Sequence, residues 1–123
     1  MKDIASREDL EILLREFYNS LLQDSSINYI FIDVAKIDLE EHLPHITDFW
    51  EQNLFNSGSY KNNVMRLHLD LNDKENLTTA HFDTWLTHFY TITDKVFAGV
   101  NAEKIKTRAL SIATVMKVKI LKP

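Results

Sequence analysis

Five histidines, His42, His45, His68, His81 and His88, are the side chains best suited to hold a metal in this chain, because it contains no cysteine. Neutral imidazole is the commonest metal ligand, and its proton exchanges near neutral pH. His68 stands between Leu67 and Leu69, with Met65 and Leu71 close by and Arg66 and Asp70 the nearest charges. A desolvated imidazole needs both ring nitrogens occupied, one by a metal or other partner and the other by a carbonyl or carboxylate. His68 therefore reads as a ligand or as a satisfied core or surface histidine. The interval from His42 to His68 is long enough for one helix and a return, so the two could face each other across a flat cofactor. His42 and His45 form an i, i+3 pair beside Glu41, but neither the H-E-x-x-H zinc signature nor Glu-x-x-His on two helices is present. Tyr18 lies on an apolar face, where a core tyrosine is the ordinary outcome. Trp85 shares an i, i+4, i+7 stripe with His81 and His88, which reads as pocket wall or as surface. Asp83 lies near both histidines, yet no serine or threonine is tied to them by sequence, which argues against a nucleophilic triad.

Composition narrows the chemistry further. The 123 residues carry 14 Lys+Arg against 18 Asp+Glu, a net charge of −4 and a pI near 5.7. No broad basic surface is available for phosphates, so nucleic acid is not an expected partner. The absence of cysteine excludes disulfides, thiolate zinc sites, iron–sulfur clusters and cysteine nucleophiles. Gly58 and Gly99 are the only glycines, where average usage would give about 9. No phosphate-cradling loop or dinucleotide fingerprint can be written, and an all-β fold would lack its turn residues. The expectation is a single all-α domain over residues 1–123, cytoplasmic, without a secretory signal or membrane span.

The elements that must position these side chains follow from spacing. Ser6 and Asp9 form a start signal for a helix whose face holds Leu10, Leu13, Leu14, Phe17, Tyr18 and Leu21. Ile27, Ile30 and Phe31 predict a short apolar turn or helical stub. Asp38 and Glu41 start a segment carrying Leu43, Ile46, Phe49, Trp50 and Leu54, in which Pro44 predicts a kink or a regular helix that begins only there, leaving His42 in an irregular first turn. Val64 to Leu71 would hold a short helix, and residues 72–76 read as exposed linker. From about Thr78, Phe82, Trp85, Leu86, Phe89, Ile92 and Val96 predict a long helix with Gly99 as its terminator. Ile105, Ala109, Ile112, Ala113, Met116 and Ile120 predict a last helix.

Four segments taken together resemble a known family. Phe17-Tyr18, His42-Leu43-Pro44 with Phe49-Trp50 following, Leu67-His68-Leu69-Asp70-Leu71, and His81-Phe82-Asp83-Thr84-Trp85-Leu86 occur in the order and at separations similar to those of the group III truncated haemoglobins, over roughly Leu10 to Met116. The resemblance implies a shortened globin-like fold, a two-over-two helical sandwich around haem b (iron protoporphyrin IX). It implies His68 as the proximal iron ligand, Tyr18 and Trp85 as distal donors, and His42 as a distal histidine that either swings outward as a gate or turns inward as a sixth ligand. It implies Phe17, Phe31, Leu43, Ile46, Phe49, Trp50 and Phe89 as pocket walls. His45 is the alternative distal histidine and His81 the alternative proximal one.

The function implied is binding of dioxygen and other diatomic ligands, nitric oxide and carbon monoxide among them, at a histidine-ligated iron. Tight holding and slow release argue for chemistry or sensing over carriage. Nitric oxide dioxygenation or a peroxidase-like step would draw electrons from a separate reductase, since no flavin or nicotinamide domain fits in this length. The rival readings are a gas-sensing or binding module without turnover and a haem-free helical protein.

Overall fold

Ser6 starts the first helix as its sequence position predicts. Its hydroxyl accepts the Asp9 amide, one of the orphan donors of a helix start. Helix α1 then runs over Arg7–Leu22 and buries Leu10, Leu13, Leu14, Phe17, Tyr18 and Leu21. The computed structural model describes residues 1–34, 38–55 and 77–120. After α1 the chain turns through Asp24, whose carboxylate accepts the Ser26 amide, and enters a short π-helical turn, Ile30–Val34. This is the helical stub expected there, and Ile27 and Ile30 are its buried anchors.

Helix α2 spans Leu39–Phe55 and contains Pro44 without interruption. The helix starts at Leu39, so the expected late start at Pro44 is absent and His42 lies in a regular first turn. Proline at this position releases only the carbonyl of Glu40, in the exposed first turn where water can satisfy it. Asp38 caps the helix through its carboxylate, which accepts the amides of Glu40 and Glu41. Arg7 of α1 donates to Asp48 and Glu51 at 2.7 and 3.0 Å and to the Pro44 carbonyl, and Arg15 pairs with Glu40. These contacts set α2 alongside α1.

Helix α3, Thr79–Val96, begins at a capping box in which the Thr78 hydroxyl accepts the His81 amide and His81 Nδ1 accepts the Thr78 amide. Helix α4, Val100–Ile120, follows after a short connection. Gly99 does not terminate α3, which ends at Val96 with Phe97 extended. It has φ +141° and lets the backbone lie against Asp3, where a Cβ would meet the carboxyl carbon at 2.5 Å. Asp3 accepts the amides of Asn101 and Ala102, so the N-terminal segment caps α4.

α1 packs on both α2 and α3, α4 packs on α3, and α4 also touches α2. The architecture is all-helical among the described residues, as composition implied. From α4, Lys104 and Arg108 donate to the carbonyls of Leu54 and Asn53 in the last turn of α2. Two cations thus satisfy orphan acceptors at the negative end of that helix.

Candidate functional site

Phe17 and Tyr18 are neighbours on α1, and both are buried because α1 has a helix on each of two sides. Phe17 meets Trp85 and Phe89 of α3 edge to face at 5.5 and 5.0 Å. Tyr18, about 100° round the helix, faces Phe31 at 6.0 Å and His42 at 5.4 Å. The aromatic cluster continues through Trp85 stacked on Phe89 and through Trp50 against Phe89, 5.4 Å each. Such ring pairs contribute roughly 0.5–1.5 kcal/mol each beyond area burial, which makes this a stiff wall.

In front of that wall is a cavity of about 780 Å³, counted with its mouth. Tyr18, Phe31, Ile46, Phe49, Trp50 and Trp85, all implied by the family resemblance, line it. Phe17 and Phe89 stand behind the lining, at 1% and 0% exposure, and hold Trp85 in place. Leu43 is buried in the core next to the cavity walls and His42 reaches Tyr18, but neither is among the lining residues. His45 is exposed on α2. His68, with the whole Val64 to Leu71 segment and the linker after it, lies outside the described residues.

Apart from His81, whose stripe with Trp85 reads as pocket wall or surface, the remaining walls come from residues that periodicity marked only as core or not at all. Ile27 and Ile30 contribute from the turn before α2, and Leu77, His81 and Phe82 from the start of α3. Ile112, Ala113 and Met116 contribute from α4. Their i, i+4 apolar spacing is the same whether a helix faces a core or a pocket, so no sequence signal separates the two.

The polar groups are few and specific. His42 Nε2 lies 3.4 Å from the Tyr18 hydroxyl. Burial pushes the Tyr18 phenol above its ordinary range, so the hydroxyl keeps its proton and remains a donor. Trp85 presents an indole N–H that makes no hydrogen bond among the described residues. No lysine, arginine, aspartate or glutamate is among the described lining residues. No group of three or more metal-binding side chains occurs among the described residues either. His81 does not meet the needs of a ligand in this arrangement. Its Nδ1 lone pair accepts from Thr78, which puts the ring proton on Nε2, and Nε2 donates to the Tyr29 hydroxyl at 2.8 Å. His88 faces away from the cavity lining, between Ser20 and Asp24.

A largely apolar, partly open cavity whose lining includes a protonated phenol and an indole suits a flat apolar macrocycle carrying a small polar ligand. No described helix is long and apolar enough to cross a membrane.

No family model and no curated protein sequence matches the chain. Among solved structures, the group III truncated hemoglobin from Campylobacter jejuni aligns over 99% of this chain and 97% of its own, with a TM-score of 0.88 at 25% identity. The fold is that of a truncated haemoglobin, a globin-type protein, and the group III resemblance read from the sequence extends over essentially the whole chain.

Proposed function

We propose that the protein binds haem b in this cavity, with His68 as the protein ligand to iron, and takes dioxygen, nitric oxide or carbon monoxide on the side lined by Tyr18 and Trp85. The observation that supports this reading is that Tyr18 and Trp85, two neutral donors, both line a cavity whose other described lining residues are apolar except for His81. Bound haem would supply an iron that accepts a diatomic ligand and shifts negative charge onto it. The residues do the rest. Tyr18 and Trp85 offer hydrogen bonds to that charge, Phe17 and Phe89 keep Trp85 from turning, and His42, within reach of Tyr18, adjusts how firmly the phenol is held.

Donors aimed at a partly charged ligand slow its release, which favours chemistry over carriage. The reading is a haem protein acting on nitric oxide and dioxygen, by dioxygenation or a peroxidase-like step, with electrons from a separate reductase in the cytoplasm. The test is an absorption spectrum of protein expressed with haem, in ferric, reduced and carbon-monoxide-bound forms, beside His68→Ala. A Soret band that shifts with carbon monoxide and is lost or altered in the variant is the expected result. A protein that takes up no added haemin overturns the reading, and an unchanged spectrum in the variant removes His68 from the iron.

A further inference from the structure

We infer that the first turn of α3 is a pH-sensitive wall of the cavity, closed while His81 is neutral and loosened when His81 takes a proton. The inference concerns the wall itself, whatever the cavity holds, and so goes beyond the haem-binding reading. In a capping box the third helical residue is ordinarily Glu or Gln, whose side-chain oxygen accepts the amide of the cap residue. Here that place belongs to His81, whose Nδ1 accepts the Thr78 amide at 3.1 Å while its own amide donates to Thr78 Oγ1 at 3.2 Å. A carboxylate or amide oxygen accepts throughout the neutral range, but an imidazole nitrogen accepts only while it carries no proton. Histidine is the side chain whose charge ordinarily changes between pH 5 and 8. The cap of α3 is therefore conditional where a Glu or Gln cap would be constant.

A proton on Nδ1 acts against this turn in two ways. It points at the Thr78 N–H, donor against donor, and it places a positive ring at the positive end of the helix dipole. Tyr29 does not oppose the change, because its oxygen accepts from Nε2–H at 2.8 Å in either state of the ring. The ring can thus leave the cap and stay tethered to Tyr29, against which it packs at 5.8 Å. Among the described residues nothing else holds it. His81 has no hydrogen bond or ion pair from α1, α2 or α4, and the charges nearest on α3 and α4, Asp83 and Lys117, are paired with each other at 2.5 Å.

The cap lies between two residues of the cavity wall. Leu77 precedes Thr78 and Phe82 follows His81, the two places of a hydrophobic staple. Both are buried and both line the cavity, as His81 does. Thr78, Thr79 and Ala80 are exposed, so the turn is closed by the capping bonds and by the Phe82 amide, which donates to the Thr78 carbonyl at 3.2 Å. Once the cap opens, Leu77 and Phe82 lose the turn that sets their spacing. Acid then eases passage into and out of the cavity on this side.

The experiment measures amide hydrogen exchange by NMR at Thr78 and Phe82, in the full-length protein and in His81→Gln, at pH 7.5 and pH 5. Rates are expressed as protection relative to intrinsic exchange at each pH, and the protein is used as isolated, in the reduced carbon-monoxide form where it carries haem. Glutamine keeps an accepting oxygen at this place and has no proton to gain. The expected result is a loss of protection of about fivefold at both amides in the unmodified protein on going to pH 5, as for loss of a cap, and almost none in His81→Gln. His42, His45 and His88 are present in both proteins, so an equal loss in the two would come from elsewhere and overturn the inference, as would no loss in either. Ring nitrogen shifts of His81 in the unmodified protein supply a reading that needs no variant. Nδ1 must be bare at pH 7.5 and protonated at pH 5; any other pattern overturns the inference and leaves haem binding intact.

Discussion

His88 Nε2 donates to Asp24 Oδ2 across 2.7 Å, joining α3 to the turn that follows α1. The other ring nitrogen is 2.6 Å from the Ser20 hydroxyl. The serine, histidine and aspartate are bonded in the order of a nucleophile relay, which local spacing could not reveal, since Ser20 and Asp24 are far from His88 along the chain. Ser20, however, lies inside α1, where backbone amides are committed to helical bonds and cannot serve a developing oxyanion. The trio is a clamp. Ser20 follows Phe17 by three residues and His88 follows Trp85 by three, so the clamp lies one turn beyond the contact between those two rings and fixes the register of α1 on α3.

This clamp carries a pH dependence whose sign is set by Asp24. Hydrogen bonds from His88 and from the hydroxyl and amide of Ser26 hold its carboxyl down to about 2, against about 3.9 in an unfolded chain. A carboxyl depressed on folding adds stability that is fully present above its unfolded value and is lost as pH falls from about 4 toward 2. Asp24→Asn should lower the melting temperature at pH 6 and flatten its decline between pH 5 and pH 2.5. Thermal unfolding followed by circular dichroism across that range checks this, and parallel curves for the two proteins would show that Asp24 is not a contributor.

Gly99→Ala should destabilise the protein through the same N-terminal segment that caps α4. The backbone at Gly99 has φ +141°, and a Cβ would be 2.5 Å from the carboxyl carbon of Asp3. The substitution therefore strains its own backbone and displaces Asp3 from the amides of Asn101 and Ala102. Backbone strain of this kind costs of order 1–3 kcal/mol and loss of a helix cap about 1 kcal/mol. Asp3→Ala alone should show the smaller loss in urea unfolding. If Gly99→Ala were no worse than Asp3→Ala, the backbone conformation would not be the source.

What could be read from the sequence were local patterns, and what could not were meetings across the chain. The start of α1 at Ser6, the stub at Ile30 and the apolar stripe of Phe82, Trp85 and Phe89 each depend on residues within a turn or two, and the structure has them. The late helix start predicted at Pro44 failed because proline was weighed without its exposure; near an exposed helix start the carbonyl it orphans is solvated at little cost. Gly99 misled because a glycine after a long stripe usually ends a helix, whereas here Asp3, at the other end of the chain, is what requires it. His81 looked like a ligand of second rank, yet Tyr29, 52 residues away, occupies its Nε2. The family resemblance supplied Tyr18, His42 and Trp85 as a set; spacing alone left each of them ambiguous.

Phe89→Ala is expected to be among the most damaging single substitutions. Phe89 is fully buried and touches Phe17, Trp50 and Trp85. Truncating a buried phenylalanine costs roughly 3–5 kcal/mol, a large part of the stability of a domain this size. The variant would also unstack Trp85, so its intrinsic fluorescence should change in emission maximum before any unfolding. A stable variant with an unaltered tryptophan spectrum would mean that the aromatic wall is held from elsewhere.

Tyr18→Phe separates the chemistry of the donor wall from its packing. The ring of Tyr18 packs between Phe17 and Phe31, and phenylalanine preserves both contacts. The hydroxyl is what reaches His42, 3.4 Å away, and burial keeps it protonated. Because the bond to His42 is long, its loss should leave the melting temperature nearly unchanged. A hydrogen bond to a charged group contributes about 1.5–3 kcal/mol, so on the proposed function dioxygen dissociation from the reduced, haem-loaded variant should be faster by about one to two orders of magnitude, measured by stopped-flow displacement with carbon monoxide. Carbon monoxide, which takes up less negative charge on iron, should dissociate at a rate much closer to that of the unmodified protein. Equal effects on the two ligands would point to access through the His42 side as the controlling step, and no effect on either would remove Tyr18 from the donor wall.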